Sequence, residues 1–490
     1  MLKFDLSNDS LFGNEVAEDE IDEVFSSYAV ERQEVKNFVD PNRRIAITRA
    51  YKGEGKSALL RLVKLRLEKA ENPPLIINIT ASAISPEIES TDSDRWIRQW
   101  QINILKLAAR EIGAHVSYAF SDDAITLLEE AESQGFRSRS FVSTILDRLK
   151  SSALPIERTR IGVKNPEMLL KRWSQNGSDV WFIIDDIDFN FENNQPYKTK
   201  VATFFTAIRH ITNLIPEFKF RASIRPNIWA IIKREYEALS HVEQYIDDIS
   251  WSLDDSYILL ARRIEGYLKR SNQWEEHFHS FPQYPFEQRS FLIEQLFSSP
   301  VPWGRNATRP VAVALFTLSR RRPRWLIELC KEAASKKALN NKFGKISFDD
   351  ITDVMESFSK RRVDDTIVEF KSQCPEMEDL LAAFAGQVER LSTGDLMTLI
   401  NNRILQSVNP RIAGVVGKPT AREVAQFLYQ IGFLTARKDL DSDQYEHVAF
   451  ADNPTLLNTT TNIDQGYLWE IHPVFRQALK LKNSYEIRDR

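Results

Sequence analysis

Four strand-like runs, at 45–48, 73–80, 180–184 and 218–224, are too short for ordinary helices and bounded by loop or turn residues. They predict strands, that at 180–184 a buried one, as in a parallel sheet flanked by helices. Between them the period lengthens. Residues 58–63 continue the first run into a helix, and 96–112 and 141–150 carry helical stretches inside a long insert, 81–177, that separates the second strand from the third. Beyond Ser252 the pattern is helical, with Tyr257, Leu259, Leu260, Ile264 and Leu268 on one face. Residues 298–302 and Gly304 break it, and 311–318 resume it. From about Leu391 the chain reads as two helices, then strands at 446–450 and 467–472 around a polar stretch, then a helix over 474–482 opened by Pro473. At the other end, Val24, Phe25, Tyr28, Val35 and Phe38 predict an amphipathic helical segment packed on the sheet domain.

The junction between the first strand and its helix reads A-Y-K-G-E-G-K-S over 50–57. Gly53 and Gly55 can adopt backbone angles closed to other residues, so successive N–H groups can curl around an anion at the positive end of the helix. Lys56 would reach the β- and γ-phosphates of a nucleotide, and the Ser57 hydroxyl would hold magnesium. Two positions depart from the usual G-x-x-x-x-G-K-[ST] pattern. Ala50 replaces the first glycine, and Glu54 brings a carboxylate that repels phosphate unless it points outward or pairs with Lys52. The alternative is a lysine-rich turn before an ordinary helix.

The third apolar run ends directly in Asp185 and Asp186. One carboxylate can bind magnesium and the next can orient and deprotonate a water for attack on the γ-phosphate, so Asp185 is assigned to the metal and Asp186 to the water. Alternatively Asp185, Asp186 and Asp188 only end a strand and cap the segment after it. The fourth run ends in Arg225, whose planar guanidinium suits phosphate oxygens, or which is a surface arginine before the Pro226 turn. Both elements lie at the carboxyl ends of strands, where open α/β sheets bind ligands.

The sequences F-G-N-E-V-A-E-D at 12–19, Y-K-G-E-G-K-S at 51–57 and I-D-D-I-D at 184–188 resemble the ATPase core of the STAND class, signal-transduction ATPases related to the AAA+ proteins. More narrowly they are similar to a prokaryotic family with an F-G-x-x-x-A-E-x-D opening, a G-R-K-G-x-G-K-[ST] loop and a strand ending in D-D. The similarity runs on through I-S-W-S at 249–252, S-R-R-R-P-R-W at 319–325 and a C-terminal region like a winged helix. It implies an α/β P-loop NTPase core followed by a helical lid domain and a winged-helix domain. The corresponding divisions are an N-terminal segment over 1–40, the core with its insert over 41–251, the lid over 252–365 and the winged helix over 366–490. It further implies that Phe12 and Gly13 lie beside the base and ribose, that Lys52, Gly53, Glu54, Gly55, Lys56, Ser57 and Ala58 line the phosphates, and that Arg225 is a sensor arginine. Pro323 and Arg324 match a lid motif that closes over the nucleotide, and His472 matches a winged-helix histidine that contacts phosphate in the resting state. His472 alternatively has a structural role. Glu20 stands where the family's opening ends in aspartate.

Composition narrows the setting. The chain has 490 residues, 42% apolar and 27% charged, which suits a soluble multidomain protein. No stretch of about twenty apolar residues occurs, and the N-terminus lacks the pattern of a secretion signal. Cys330 and Cys374 read as buried thiols in a reducing cytoplasm. His277 and His279 lack partners at zinc spacing. The net charge of −4 gives no overall drive toward nucleic acid, although 305–345 is locally basic around Arg320, Arg321, Arg322 and Arg324 and faces few acids in sequence.

The expectation is therefore a cytoplasmic ATP-binding, slowly hydrolysing switch ATPase using ATP/ADP and Mg2+, whose nucleotide state controls opening of lid and winged helix. Self-association or a separate effector protein would read that state, as in prokaryotic antiviral defence or stress signalling. Two alternatives stand beside it. One is a DNA-binding AAA+-like ATPase of the initiator or loader type, although the polar wing at 451–464 has no lysine or arginine; the other is an ATP-bound scaffold that does not hydrolyse.

Overall fold

The computed structural model describes residues 2–88, 90–114, 179–277, 279, 281–304, 307–440, 445–457 and 466–483. The helix expected over 141–150, Arg305 and residues 458–464 of the polar wing lie outside them. Two compact units make up the chain. The sheet unit comprises Glu31–Tyr51 and Lys56–Ile249, and the helical unit comprises Met1–Val30, Lys52–Gly55 and Ser250–Arg490. The N-terminal segment is thus divided: α1 (Asp22–Tyr28) belongs to the helical unit and α2 (Gln33–Val39) to the sheet unit.

In the sheet unit, β1 (Ile45–Arg49) leads into α3 (Lys56–Glu68), β2 (Leu75–Thr80) into α4 (Ser93–Ala114), and β3 (Val180–Asp185) into α5 (Gln195–Leu214). Then come β4 (Phe218–Ile224), α6 (Pro226–Glu235) and the short β5 (Ile246–Asp248). The strands form one parallel sheet in the order β2-β3-β4-β1-β5. A five-stranded parallel sheet flanked by helices fits an α/β P-loop NTPase core. The four expected strands are all present. The polar β5 was not expected, because ion pairs rather than apolar side chains secure it: Arg49 grips Asp248 at 2.6 and 2.7 Å, and Arg43 reaches Asp247 at 2.7 Å.

Alternation within the buried strands builds two different faces. Ile45, Ile47, Phe182, Ile184, Phe218, Phe220 and Ile224 pack with Trp100 and Ile104 of α4 and Phe204, Phe205 and Ile208 of α5. Across β3 and β4, Phe182 stacks on its register partner Phe220 with ring centres 4.6 Å apart, a pair worth about 1 kcal/mol beyond its buried area. The other face is toward α2 and α3. There the wholly buried Arg221 donates to the carbonyls of Phe38 and Asp40 at the end of α2 and lies 4.3 Å from the Trp181 ring centre. Burial lowers its pKa to about 9, still well above neutrality. A buried arginine in β4 therefore fixes where α2 ends.

In the helical unit, α7 (Leu253–Arg270) packs on α1 and on α8 (Pro285–Leu296). A β6 (Val301–Trp303) and β7 (Ala307–Arg309) hairpin comes next, then α9 (Val311–Leu318), α10 (Pro323–Asn340) and α11 (Phe348–Phe370). The residues expected only to break a helix thus form an antiparallel pair. After α12 (Met377–Ala382), an antiparallel sheet in the order β10-β9-β11-β8 joins β8 (Arg390–Leu391), β9 (Leu434–Asp439), β10 (Tyr445–Val448) and β11 (Leu468–Ile471). It is accompanied by α13 (Thr393–Leu399) and α14 (Ala421–Gln430). The helix expected over 474–482 is replaced by one 3-10 turn, Pro473–Phe475. Lys480 takes a positive φ of 50°, and Lys482 is drawn into bonds with Gln387 and Glu389, which end any helix. Cys330 and Cys374 are buried free thiols. No helix among the described residues is long and apolar enough to cross a membrane.

Arg221→Met would strip the carbonyls of Phe38, Phe220 and Asp40 of a donor while keeping most of the volume. A loss of about 2–4 kcal/mol of stability is expected, read as a lowered calorimetric transition. Lys219→Met, whose ammonium reaches only Pro216 O at 3.1 Å and Asp179 at 3.7 Å, should cost about 1 kcal/mol or less.

Candidate functional site

In the sheet unit, the chain leaves β1 toward β2 on one side and leaves its neighbour β4 toward β5 on the other. The carboxyl ends of β1 and β4 therefore flank a topological switch point, the crevice where open parallel sheets take ligands. Four predicted groups gather at this edge. Lys56 opens α3, with its ammonium arched back over the loop to the carbonyls of Ala50 at 2.9 Å and Tyr51 at 3.3 Å. Ser57 and Ala58 continue that first turn, where the helix dipole favours anions. Ala50 is buried, bonds Ile224 O through its N–H, and does not take a positive φ. Alanine in place of glycine therefore brings no backbone strain.

Asp185 ends β3 with its Oδ1 held by the Ser223 hydroxyl of β4 and by the N–H of Asp186 at 2.9 Å. Asp186 turns the chain at a positive φ of 56°, a conformation that aspartate tolerates better than most residues. Its carboxyl is held above the usual carboxylate range by desolvation first and by the charges of Asp185 and Asp188 next, against the opposing pull of Lys56 and Arg225. Arg225 caps α6, but its Nε and Nη2 are committed to Asp188, to Oδ2 at 2.8 Å and the backbone oxygen at 2.6 Å. Asp188, only 2% exposed, thereby positions the arginine expected to read phosphate; the sequence had marked it only as a strand-end residue.

The loop tip, Lys52–Gly55, belongs to the helical unit. The carbonyls of Lys52, Gly53 and Glu54 accept from Arg322 Nη1 at 3.2 Å, the Arg324 N–H at 3.2 Å and Trp251 Nε1 at 2.8 Å. The Lys52 N–H donates to Glu369 at 3.0 Å, and Arg322 reaches the same carboxylate at 2.8 Å. The Lys52 ammonium lies 3.5 Å from Asp365, an acid that sequence spacing could not bring beside it. Gly53 has a φ of 82°, which strains any other residue, and a Cβ there would press on Arg324 Cβ at 3.3 Å. Arg324 thus meets the loop through its backbone N–H, and Pro323 opens α10 just before it.

The remaining predicted residues have other surroundings. Phe12 is buried against Phe297, and Gly13 turns at a φ of 66° beside Glu20, Tyr28 and Arg263. His472 is partly buried, and its Nδ1 accepts from the Val474 N–H at 3.3 Å. Burial and then Arg320 hold its ring neutral well below the ordinary histidine value. The basic run, expected to face few acids, is matched by acids from distant sequence: Arg321 with Asp452, Arg322 with Glu369, Lys331 with Glu15 and Lys342 with Asp5. Arg320 is spent on the Ile431 carbonyl.

Among the described residues no group of three or more His, Cys, Asp or Glu is placed to hold a metal. Magnesium on a nucleotide needs only one or two protein oxygens beside phosphate and water, and the fixed Asp185 carboxylate with the Ser57 hydroxyl supplies that kind of donor.

No protein-family model matches the chain, and neither does any curated protein. Among solved structures it is similar to the Aeropyrum pernix ORC2 protein in ADPNP–ADP complexes, at 12% identity and a TM-score of 0.40 over 96% of each chain. It is also similar to Drosophila ORC bound to DNA, at 11% identity and a TM-score of 0.32 over 98% of this chain and 94% of that one. Likenesses this distant leave the site to be judged on its own geometry.

Asp186 binds its proton more tightly folded than unfolded, so its ionised form costs stability at neutral pH. That cost shrinks as pH falls through the raised value and is gone below the ordinary carboxylate pKa. Asp186→Asn is expected to melt higher than the parent at pH 7 and to lose that advantage at pH about 3; an unchanged or lower melting temperature at pH 7 would contradict this.

Proposed function

We propose that the chain is a regulatory ATPase that binds a nucleoside triphosphate at the carboxyl edge of the parallel sheet and hydrolyses it slowly. The observation that carries this is the meeting of Lys56, Asp185, Asp186 and Arg225 around the switch point of β1 and β4, where Asp186 feels both cations electrostatically. Lys56 would exchange its two loop carbonyls for β- and γ-phosphate oxygens. Magnesium, held by Ser57 and Asp185, would supply charge neutralisation on the phosphates. Asp186, with a carboxyl already inclined to keep a proton, would take one from the attacking water. Arg225, positioned by Asp188, would stabilise the transferred group.

A switch needs a ligand that distinguishes two states, and the γ-phosphate facing Lys56 and Arg225 supplies that difference. The resemblance to STAND ATPases supports lid and winged-helix roles for 252–365 and 366–490, with self-association or an effector protein as readout and defence or stress signalling as setting. Arg320 and Arg322 bond within the chain, to the Ile431 carbonyl and Glu369, and Arg321 pairs with Asp452 at the surface, which supports the switch reading over duplex recognition by this run.

Lys56→Ala is expected to weaken ATP binding about 10- to 100-fold by titration calorimetry; equal affinity would remove the site. Asp186→Asn should keep ATP and lose about 100-fold or more of turnover, and wild-type turnover in that variant would free Asp186 of its role. Nucleotide-controlled duplex binding that weakens steeply with salt would favour the DNA-handling alternative.

A further inference from the structure

A trans peptide sends its C=O and the next residue's N–H in opposite directions. The carbonyls of Lys52, Gly53 and Glu54 are each taken by a donor of the helical unit. The N–H groups of Gly53, Glu54 and Gly55 must therefore point away from those donors. Positive φ at Gly53 and Gly55, but not at Glu54 between them, is the alternation that gathers successive amides into an anion-binding nest. A buried pair closes the arrangement. Glu369 and Arg322 expose only 1% and 3% of their side chains, and Arg322 bonds both the carboxylate and Lys52 O. Its guanidinium also lies 4.6 Å from the Trp325 ring centre. Such a pair has one geometry, because breaking it would strand a buried charge.

We propose that Trp251, Arg322 and Glu369 are positioning residues that hold the phosphate loop as a ready-formed nest, aiming its amides without touching the nucleotide. The inference rests on the nucleotide-binding reading above. It assigns a role to the helical unit before any nucleotide arrives: the loop's ordering cost is met by folding, and affinity gains accordingly. Because the nest faces phosphates common to both nucleotides, ATP and ADP should be affected alike.

The test uses the full chain with Trp251→Phe, which removes one donor and keeps an aromatic ring, and Glu369→Gln, which keeps an acceptor for Lys52 but removes the charge facing Arg322. Arg321→Ala is the control, since that arginine pairs with Asp452 on the surface. Two readouts are taken: ATP and ADP affinity, and amide hydrogen exchange of residues 50–57 without nucleotide. Trp251→Phe and Glu369→Gln are each expected to weaken both nucleotides about five- to tenfold and to speed exchange at the loop, with Arg321→Ala changing neither. Unchanged affinity and exchange in both variants, with the parent binding ATP, would overturn the positioning role alone. So would weaker binding without faster loop exchange, which would mean direct contact. No binding of either nucleotide by the parent would overturn the nucleotide reading and this inference together.

Discussion

A loop that offers its N–H groups to an anion must place its carbonyls elsewhere, and much of this site derives from that constraint. Water could satisfy those carbonyls, but then the loop would be one conformer among many and binding would have to order it. Here an indole, a guanidinium and a backbone amide do so. These donors belong with Lys52–Gly55 to the helical unit, and Ala50 and Lys56 belong to the sheet unit.

The acidic tip is made by a different device. Placing β4 between β1 and β3 puts one strand between loop and carboxylates, and Ser223 on that strand fixes Asp185. Asp186 is left in a left-handed conformation with a disfavoured charge. That combination lowers stability, and such residues concentrate at working sites. Asp188 completes the edge by orienting Arg225.

How much of this was legible in the sequence depends on whether the cause is local. The strands β1 and β3 were readable because burial leaves them as short apolar runs, and β2 and β4 because Leu75, Ile77 and Ile79 and Phe218, Phe220, Ala222 and Ile224 recur at every second position. The loop glycines, Lys56, Ser57 and the two aspartates were readable because their chemistry is compact. The edge strand β5 was not, since two of its three residues are aspartates and distant arginines secure it. Neither was β9, whose Leu-Thr-Ala-Arg-Lys-Asp sequence becomes a strand through the partners on either side of it. The partners of the loop lie about two hundred to three hundred residues away, at Trp251, Arg322 and Glu369, and no spacing rule reaches so far. The basic run was misleading for the same reason, because its acids come from Asp5, Glu15, Glu369 and Asp452.

Selective 15N-glycine labelling gives the most direct test of the central claim, that the amides at Gly53 and Gly55 grip a polyphosphate. During titration with ATP and magnesium, the resonances of those two glycines should move saturably and together, while those of Gly386 and Gly417, which sit in turns of the helical unit away from the loop contacts, stay in place. If Gly53 and Gly55 remain unmoved at ATP concentrations that saturate the protein, the nucleotide is bound elsewhere and the account of this site is wrong.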